Sequence, residues 1–353
     1  MAKKRKHAVR ENLLTRYLEA VQNLAAHGMH EGIVNMSGLK LTRSDAVIFH
    51  GVGWKHVQAG RFSDAIPLLE QAIKLNPDLV ESYNLLGVAH LESGNPQAAI
   101  SPLETAVKKK TSYAKAHYNL GLAYACFGLP ENAIRSFQQA ININSNFVQA
   151  HHNLGDTFLQ SGCFLQATES FQKAIALDPQ HIEARVSLAA AYVNMDKPQN
   201  AIPPLLEAIK IDPNYWMAHH NLGAAYLALG QPENAIDPLK TAADLAPDSE
   251  VARALLGIAY LDSGTSWKAA LAFQRAAELN PTCLMAHIGL AGCELQSGGN
   301  GKEGRAQQHL RNAFDLVNNR DHRFAVAYLP YYVGQATGQP ASEVLPEWLH
   351  SPK

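Results

Sequence analysis

The chain has 353 residues, 47% hydrophobic and 17% charged, a balance that supports a large buried core and excludes a disordered polypeptide. Thirty basic against thirty-one acidic side chains leave a net charge of −1, which argues against a dedicated polyanion binder with a basic face. The basic charge is an N-terminal feature: residues 1–45 hold eight Lys/Arg and four Asp/Glu, so the remainder is acidic.

In chain order the first element is the basic arm Lys3-Lys4-Arg5-Lys6. No apolar segment or cleavage site follows it, and no stretch reaches the roughly 18 apolar residues a bilayer span needs, so a soluble, cytoplasmic protein is expected. The arm reads as a solvated tail or as a contact for anionic lipid; nuclear targeting applies only in a eukaryote. Next, Glu11 to His27 has helical periodicity, with Leu14, Tyr17, Leu18, Val21 and Leu24 on one side and Gly28 closing it. This helix is either a cap for the elements behind it or a self-assembly helix that docks into a groove on another molecule.

From residue 46 onward the chain repeats itself. Gly53, Gly87, Gly121, Gly155, Gly223 and Gly257 recur at 34 residues or a multiple of it, with Ala189 and Ala291 in register. Three further series keep the same period: glycines from Gly60 to Gly298 with Asp196 in the vacant slot, alanines from Ala65 to Ala269, and Pro77, Pro179, Pro213, Pro247 and Pro281. Such self-similarity signals a repeat architecture. Each unit reads as two short antiparallel helices. In the third, Ala116, Leu120, Ala123 and Tyr124 share one face of a helix that Gly128 stops. Pro130 then opens the second helix, with Glu131 placed well for its dipole. Gly121 and Ala133 are expected where the two helices approach most closely. Pro67, Pro102, Pro203, Pro204 and Pro238 fall inside second helices, and local curvature without a broken fold is expected there.

The spacing, together with Leu256-Gly257, Tyr260, Ala269, Phe273, Ala276 and Pro281 of the seventh unit, resembles the tetratricopeptide repeat (TPR) family. That resemblance implies an all-α TPR solenoid, a right-handed superhelix of antiparallel helix pairs. Seven full repeats are read at 46–79, 80–113, 114–147, 148–181, 182–215, 216–249 and 250–283. An eighth, 284–320, keeps Ala306, Leu310 and Ala313 in register only if three residues are inserted near Gly298-Gly299-Asn300-Gly301. Residues 1–45 form a separate N-terminal segment and 321–353 a C-terminal cap and tail.

In such arrays the first helix of each unit lines a concave face. Its groove-facing positions hold His50, Trp54, Asn84, Tyr118, Asn119, Leu122, His152, Asn153, Asp156, His220 and Asn221. Asparagine amides can donate to and accept from an extended backbone, so the recurring ones either form a peptide-binding ladder or simply cap or satisfy local backbone groups. Further on the face turns apolar at Val251, Ala254, Leu255, Ile258, Met285 and Ile288. A partner would fill it, or the aromatic tail (Phe324, Tyr328, Tyr331, Tyr332, Trp348) would cover it. Lys115 is essentially the one basic side chain of the groove series, which disfavours capture of a C-terminal carboxylate.

Neither catalysis nor a cofactor is indicated. No phosphate-cradling loop, nucleophile elbow or paired-carboxylate motif occurs, and the residues outside the repeats are too few for a catalytic domain. Cys126, Cys163, Cys283 and Cys293 lack CxxC spacing, so no zinc site, redox pair or disulfide framework is expected. The adjacent pairs His151-His152 and His219-His220 point to different helix faces, so no metal site is expected either. The expected function is a non-enzymatic protein-interaction scaffold binding peptides, other proteins or itself; the alternative is an accessory subunit supporting a glycosyltransferase or secretion complex in trans. Within the repeat family, the run Gly53-Trp54-Lys55-His56 through Leu68-Leu69-Glu70-Gln71 resembles the opening repeat of the magnetosome-associated TPR proteins of magnetotactic bacteria. That narrower resemblance implies a self-assembling homo-oligomer, peripheral on the magnetosome membrane and linked to biomineralization.

Overall fold

The computed structural model describes residues 41–297 together with Arg305, Ala306, His309 and Ala313. The N-terminal helix, the insertion near Gly298, Leu310 and the aromatic tail lie outside the described residues. The chain divides into two units, residues 1–161 and 162–353.

In the first unit a 3-10 turn, Arg43–Asp45, precedes the helices. The Asp45 carboxylate accepts from the Thr42 amide at 2.7 Å and from its hydroxyl at 2.8 Å. Seven helices follow: α1 (Ala46–Gln58), α2 (Phe62–Leu75), α3 (Val80–Glu92), α4 (Pro96–Lys109), α5 (Ala114–Cys126), α6 (Pro130–Ile143) and α7 (Val148–Gln160). The second unit continues with α8 (Phe164–Leu177), α9 (Ile182–Asn194), α10 (Pro198–Ile211), α11 (Trp216–Ala228), α12 (Pro232–Leu245), α13 (Glu250–Asp262), α14 (Ser266–Leu279) and α15 (Leu284–Ser297). Odd-numbered helices are the first members of the repeats and even-numbered ones the second. No β-strand occurs among the described residues.

Each boundary has a local cause. Gly128 takes a φ of 82° after α5, so its amide reaches the carbonyl of Ala125 at 3.1 Å and that of Leu129 reaches Tyr124 at 2.8 Å. These bonds close the helix end, and Pro130 starts α6 at a position where no intrahelical donor is needed. Asp196 fills the same slot with φ 56° and the same bonds, its amide to Val193 at 3.0 Å and that of Lys197 to Tyr192 at 2.9 Å. A non-glycine residue in this region carries roughly 1–2 kcal/mol of strain. Asp196→Gly is therefore expected to raise stability by about 1 kcal/mol, read as a higher melting temperature; an unchanged or lower one would contradict the account of this turn.

The expected close approach is present, and its filler is a side chain one turn beyond Ala133. A Cβ built on Gly121 would sit 2.6 Å from the Phe137 ring. Leu103, Leu239 and Phe273 play the same part against Gly87, Gly223 and Gly257. Phe137, Phe171, Phe273, Leu103, Leu205 and Leu239 are all fully buried, as are the alanines four residues before and three after each of them. Small and large core residues thus alternate along every second helix, giving clusters such as Ala133–Phe137–Leu154 in the first unit and Ala201–Leu205–Leu222 in the second.

The helices run unbroken through Pro67, Pro102, Pro203, Pro204 and Pro238. Four of these prolines deprive a carbonyl four residues earlier, at Ser63, Gln199, Asn200 or Asn234, and those four residues are exposed. Water can satisfy them, which explains why the fold tolerates the substitutions. In the eighth unit Ala306 and Ala313 are buried and helical, seven residues apart as in the other second helices.

Candidate protein-interaction faces

In the first unit most of the expected groove residues spend their polar atoms on one another. The amide of Asn119 on α5 donates to the side-chain oxygen of Asn84 on α3 at 2.8 Å, and both residues are about 5% exposed. One rung along, the Asn153 amide on α7 donates to the Tyr118 hydroxyl on α5 at 2.9 Å. Tyr118 in turn packs on Phe147 and Phe137, with ring centroids 4.8 and 5.9 Å away, and burial raises its pKa. His50 Nδ1 lies 3.0 Å from the Ser82 hydroxyl, and burial lowers its pKa. His152 and Asp156 pair one turn apart on α7 at 3.4 Å. Leu122 is half-buried against the Phe137 cluster. The asparagines of this unit thus bond side chains on successive first helices, a structural role different from the capping of local backbone groups that the sequence suggested. Trp54, 50% exposed, and Lys115, also exposed, remain available at the surface.

A second column of side chains escaped the sequence reading as a functional group, although it keeps the repeat period. His117, His151, Arg185, His219 and His287 each reach back six residues to a turn carbonyl, at Thr111, Ser145, Pro179, Pro213 and Pro281, over 2.8–3.0 Å. Arg253 bonds the carbonyl of Ala243 at 3.2 Å. These residues pin the linker between repeats onto the next first helix. The signal that could have found them is their own 34-residue spacing. Among the described residues no group of three His, Cys, Asp or Glu is placed to hold a metal.

The second unit has a different first-helix face. Asn221 on α11 shares the repeat position of Asn153, but the counterpart of Tyr118 is Val186, which offers no hydroxyl. Asn221 accordingly makes no side-chain hydrogen bond with a described residue. Beside it, His220 is half-buried with the Trp216 ring 5.8 Å away; burial lowers its pKa, and its Nδ1 has no partner. The apolar face expected at residues 251–288 needs correction. Ala254, Ile258 and Ile288 are at most 7% exposed and belong to the core, packed with Ala286, Leu290 and Ala313. What stays open is Val251, 39% exposed, flanked by half-buried Leu255 and Met285. Met217, 36% exposed, stands at the same repeat position on α11 and was not singled out from sequence. Met217, Val251 and Met285 thus form a short apolar row across α11, α13 and α15.

A cavity of about 310 Å³ lies between α14 and α15, lined by Trp267, Gln274, Cys293 and His309. The Arg305 guanidinium at its rim is gripped by both Glu294 oxygens, at 3.0 and 3.2 Å, and burial pushes the Cys293 thiol up to about 11.

Within each unit the described residues form antiparallel helix pairs that recur every 34 residues. Family models described as tetratricopeptide repeat match residues 53–114, 148–181, 182–215 and 205–237, and one described as TPR repeat matches 131–162. Residues 53–114 and 131–237 thus carry tetratricopeptide repeats, and the fold is the TPR solenoid. A crystal structure of a tetratricopeptide repeat protein from Parabacteroides merdae is 17% identical, covering 77% of this chain and 99% of that one with a TM-score of 0.56. A crystal structure of MamA is 28% identical over 48% of this chain and 92% of its own, with a TM-score of 0.45. MamA from Desulfovibrio magneticus is 25% identical over 48% of this chain and 96% of its own, also at 0.45. No curated protein matches the chain significantly. Repeats of this family are protein-interaction modules, and no described helix is long and apolar enough to cross a membrane.

Proposed function

We propose that this protein is a non-enzymatic scaffold that holds an extended segment of a partner along the first helices of its second unit. The observation that carries this is a contrast. Asn84, Asn119 and Asn153 are occupied within the fold, whereas Asn221 is free beside the exposed row of Met217 and Val251. A free amide answers a peptide backbone, and the apolar row answers side chains on one edge of a strand. Twelve-residue peptides recovered by phage panning on the full chain provide the probe. Met217→Ser with Val251→Ser is expected to weaken their binding at least tenfold without lowering the melting temperature. Failure to recover any peptide, or unchanged binding by the double variant, would count against this face.

We extend the proposal to self-association, supported by the basic character of residues 1–45 against the acidic remainder. The residues of the 53–71 run give that assembly a candidate setting, the surface of a magnetosome or a similar organelle. There the Lys3–Lys6 arm would gain about 1 kcal/mol per basic residue from anionic lipid. Light scattering on a sizing column should show an oligomer for the full chain and a smaller species after deletion of residues 1–45. A monomer in both cases would rule self-association out.

A further inference from the structure

The edge where successive repeats join carries opposite charge in the two units. Lys74, Lys108, Lys210, Asp244 and Glu278 share one repeat position, the second-last residue of α2, α4, α10, α12 and α14, and all five are exposed. From that position through the linker, 74–80 and 108–114 of the first unit hold four lysines and one carboxylate. The matching windows of the second unit, 176–182, 210–216, 244–250 and 278–284, hold six carboxylates and one lysine. The intervening window, 142–148, is uncharged.

Bonds within the fold leave both signs uncompensated. In the first unit Asp78 pairs with Arg43 at 2.6 Å and with Lys109 of the next window at 3.3 Å, while Lys110 lies 3.7 Å from Glu81. Lys74 and Lys108 make no ion pair among the described residues. In the second unit Lys210 is taken by Glu207 at 3.7 Å, Glu278 by Arg275 at 2.8 Å, and Glu250 accepts from Asn280 of the next window at 3.1 Å. Asp178 and Asp212 each accept a backbone amide two residues on, at 3.0 and 2.9 Å. Asp244 and Asp248 have no partner among the described residues. A lysine in the last turn of α2 or α4 suits the negative end of its helix dipole, whereas Asp244 in the last turn of α12 opposes it. Helix stability therefore does not account for Asp244.

We infer that the basic linker edge of the first unit docks on the acidic linker edge of the second unit in another copy of this chain. The inference rests on the self-association proposed above and names the surfaces that carry it. Both edges are built on the same repeat positions, so their charges recur at matching intervals with opposite sign. The contact is heterologous, since each copy offers one edge to a neighbour and receives the other. Complementary charge sets the orientation of such a contact, and two like edges repel.

The test is sedimentation velocity on the full chain and on two double variants, Lys74→Glu with Lys108→Glu and Asp244→Lys with Asp248→Lys. The parent should associate at low salt and come apart at about 1 M, where charges are screened beyond about 3 Å. Each variant alone should associate at least tenfold more weakly than the parent. An equimolar mixture of the two should regain association, because each supplies the edge that the other has lost. Melting temperatures should match the parent's; a marked drop would make these charges structural and overturn the inference. A parent oligomer that both variants preserve, or a mixture that stays apart, would leave self-association standing and remove these edges from it. Loss of binding to phosphatidylserine vesicles in the lysine variant, with association unchanged, would assign the basic edge to lipid instead. A parent that is monomeric at low salt would sink both readings.

Discussion

Phe137→Ala is expected to destabilise the protein by about 3–5 kcal/mol, the usual cost of emptying a buried phenylalanine site. The ring is fully buried, fills the gap above Gly121, and packs with Ala133, Leu154 and Tyr118. The neighbours cannot collapse into the space without moving a helix, because α5 and α6 are set apart by this one ring. Tyr118 would also lose a packing partner, loosening its hydroxyl bond to Asn153. Repeat arrays need not unfold as a single cooperative unit, so the effect is best read locally. Hydrogen exchange should accelerate by two or more orders of magnitude in α5 and α6 and much less in α12 to α14. Protection left intact in α5 and α6 would show that the Gly121–Phe137 contact does not hold the pair together.

The second large effect separates structural asparagines from binding ones. Asn119→Ala should cost about 1–3 kcal/mol, because it leaves the buried Asn84 oxygen without its donor. Replacing both residues with leucine should recover most of that loss, since the pair then buries no polar atom. A side chain reserved for a ligand behaves in the opposite way, with little change in stability and a loss of binding. That is the behaviour expected of Asn221→Ala. Equal thermal stability of Asn119→Ala and the parent would return Asn119 to the groove.

The legibility of the sequence follows from how each feature is encoded. The helix-pair fold depends on sterically exacting positions, such as Gly121 against Phe137 and Gly128 at its left-handed turn, and these recur at a fixed interval. Asp196 was also visible as the odd residue in its column. The first-helix face is encoded differently, since a residue's bonding there depends on what the adjacent repeat presents. Asn153 and Asn221 occupy the same position, yet one faces a tyrosine hydroxyl and the other a valine. Only the packed structure shows which amide is free. Ala254, Ile258 and Ile288 misled for a related reason: an apolar residue on a first helix can face either the groove or the next repeat. The shared carbonyl target of the turn-binding histidines could not be inferred without the path of the linker.

The account centres on a binding face formed by the first helices of the second unit. Its most direct test is methyl NMR of the full chain, labelled at methionine and valine and titrated with a panned peptide. Saturable shifts of Met217, Val251 and Met285, with none at the outer-side residues Leu206 and Leu271 after parallel leucine labelling, are the predicted result. Shifts confined to the outer side, or a bound peptide that leaves all three of those methyl groups unmoved, would contradict it.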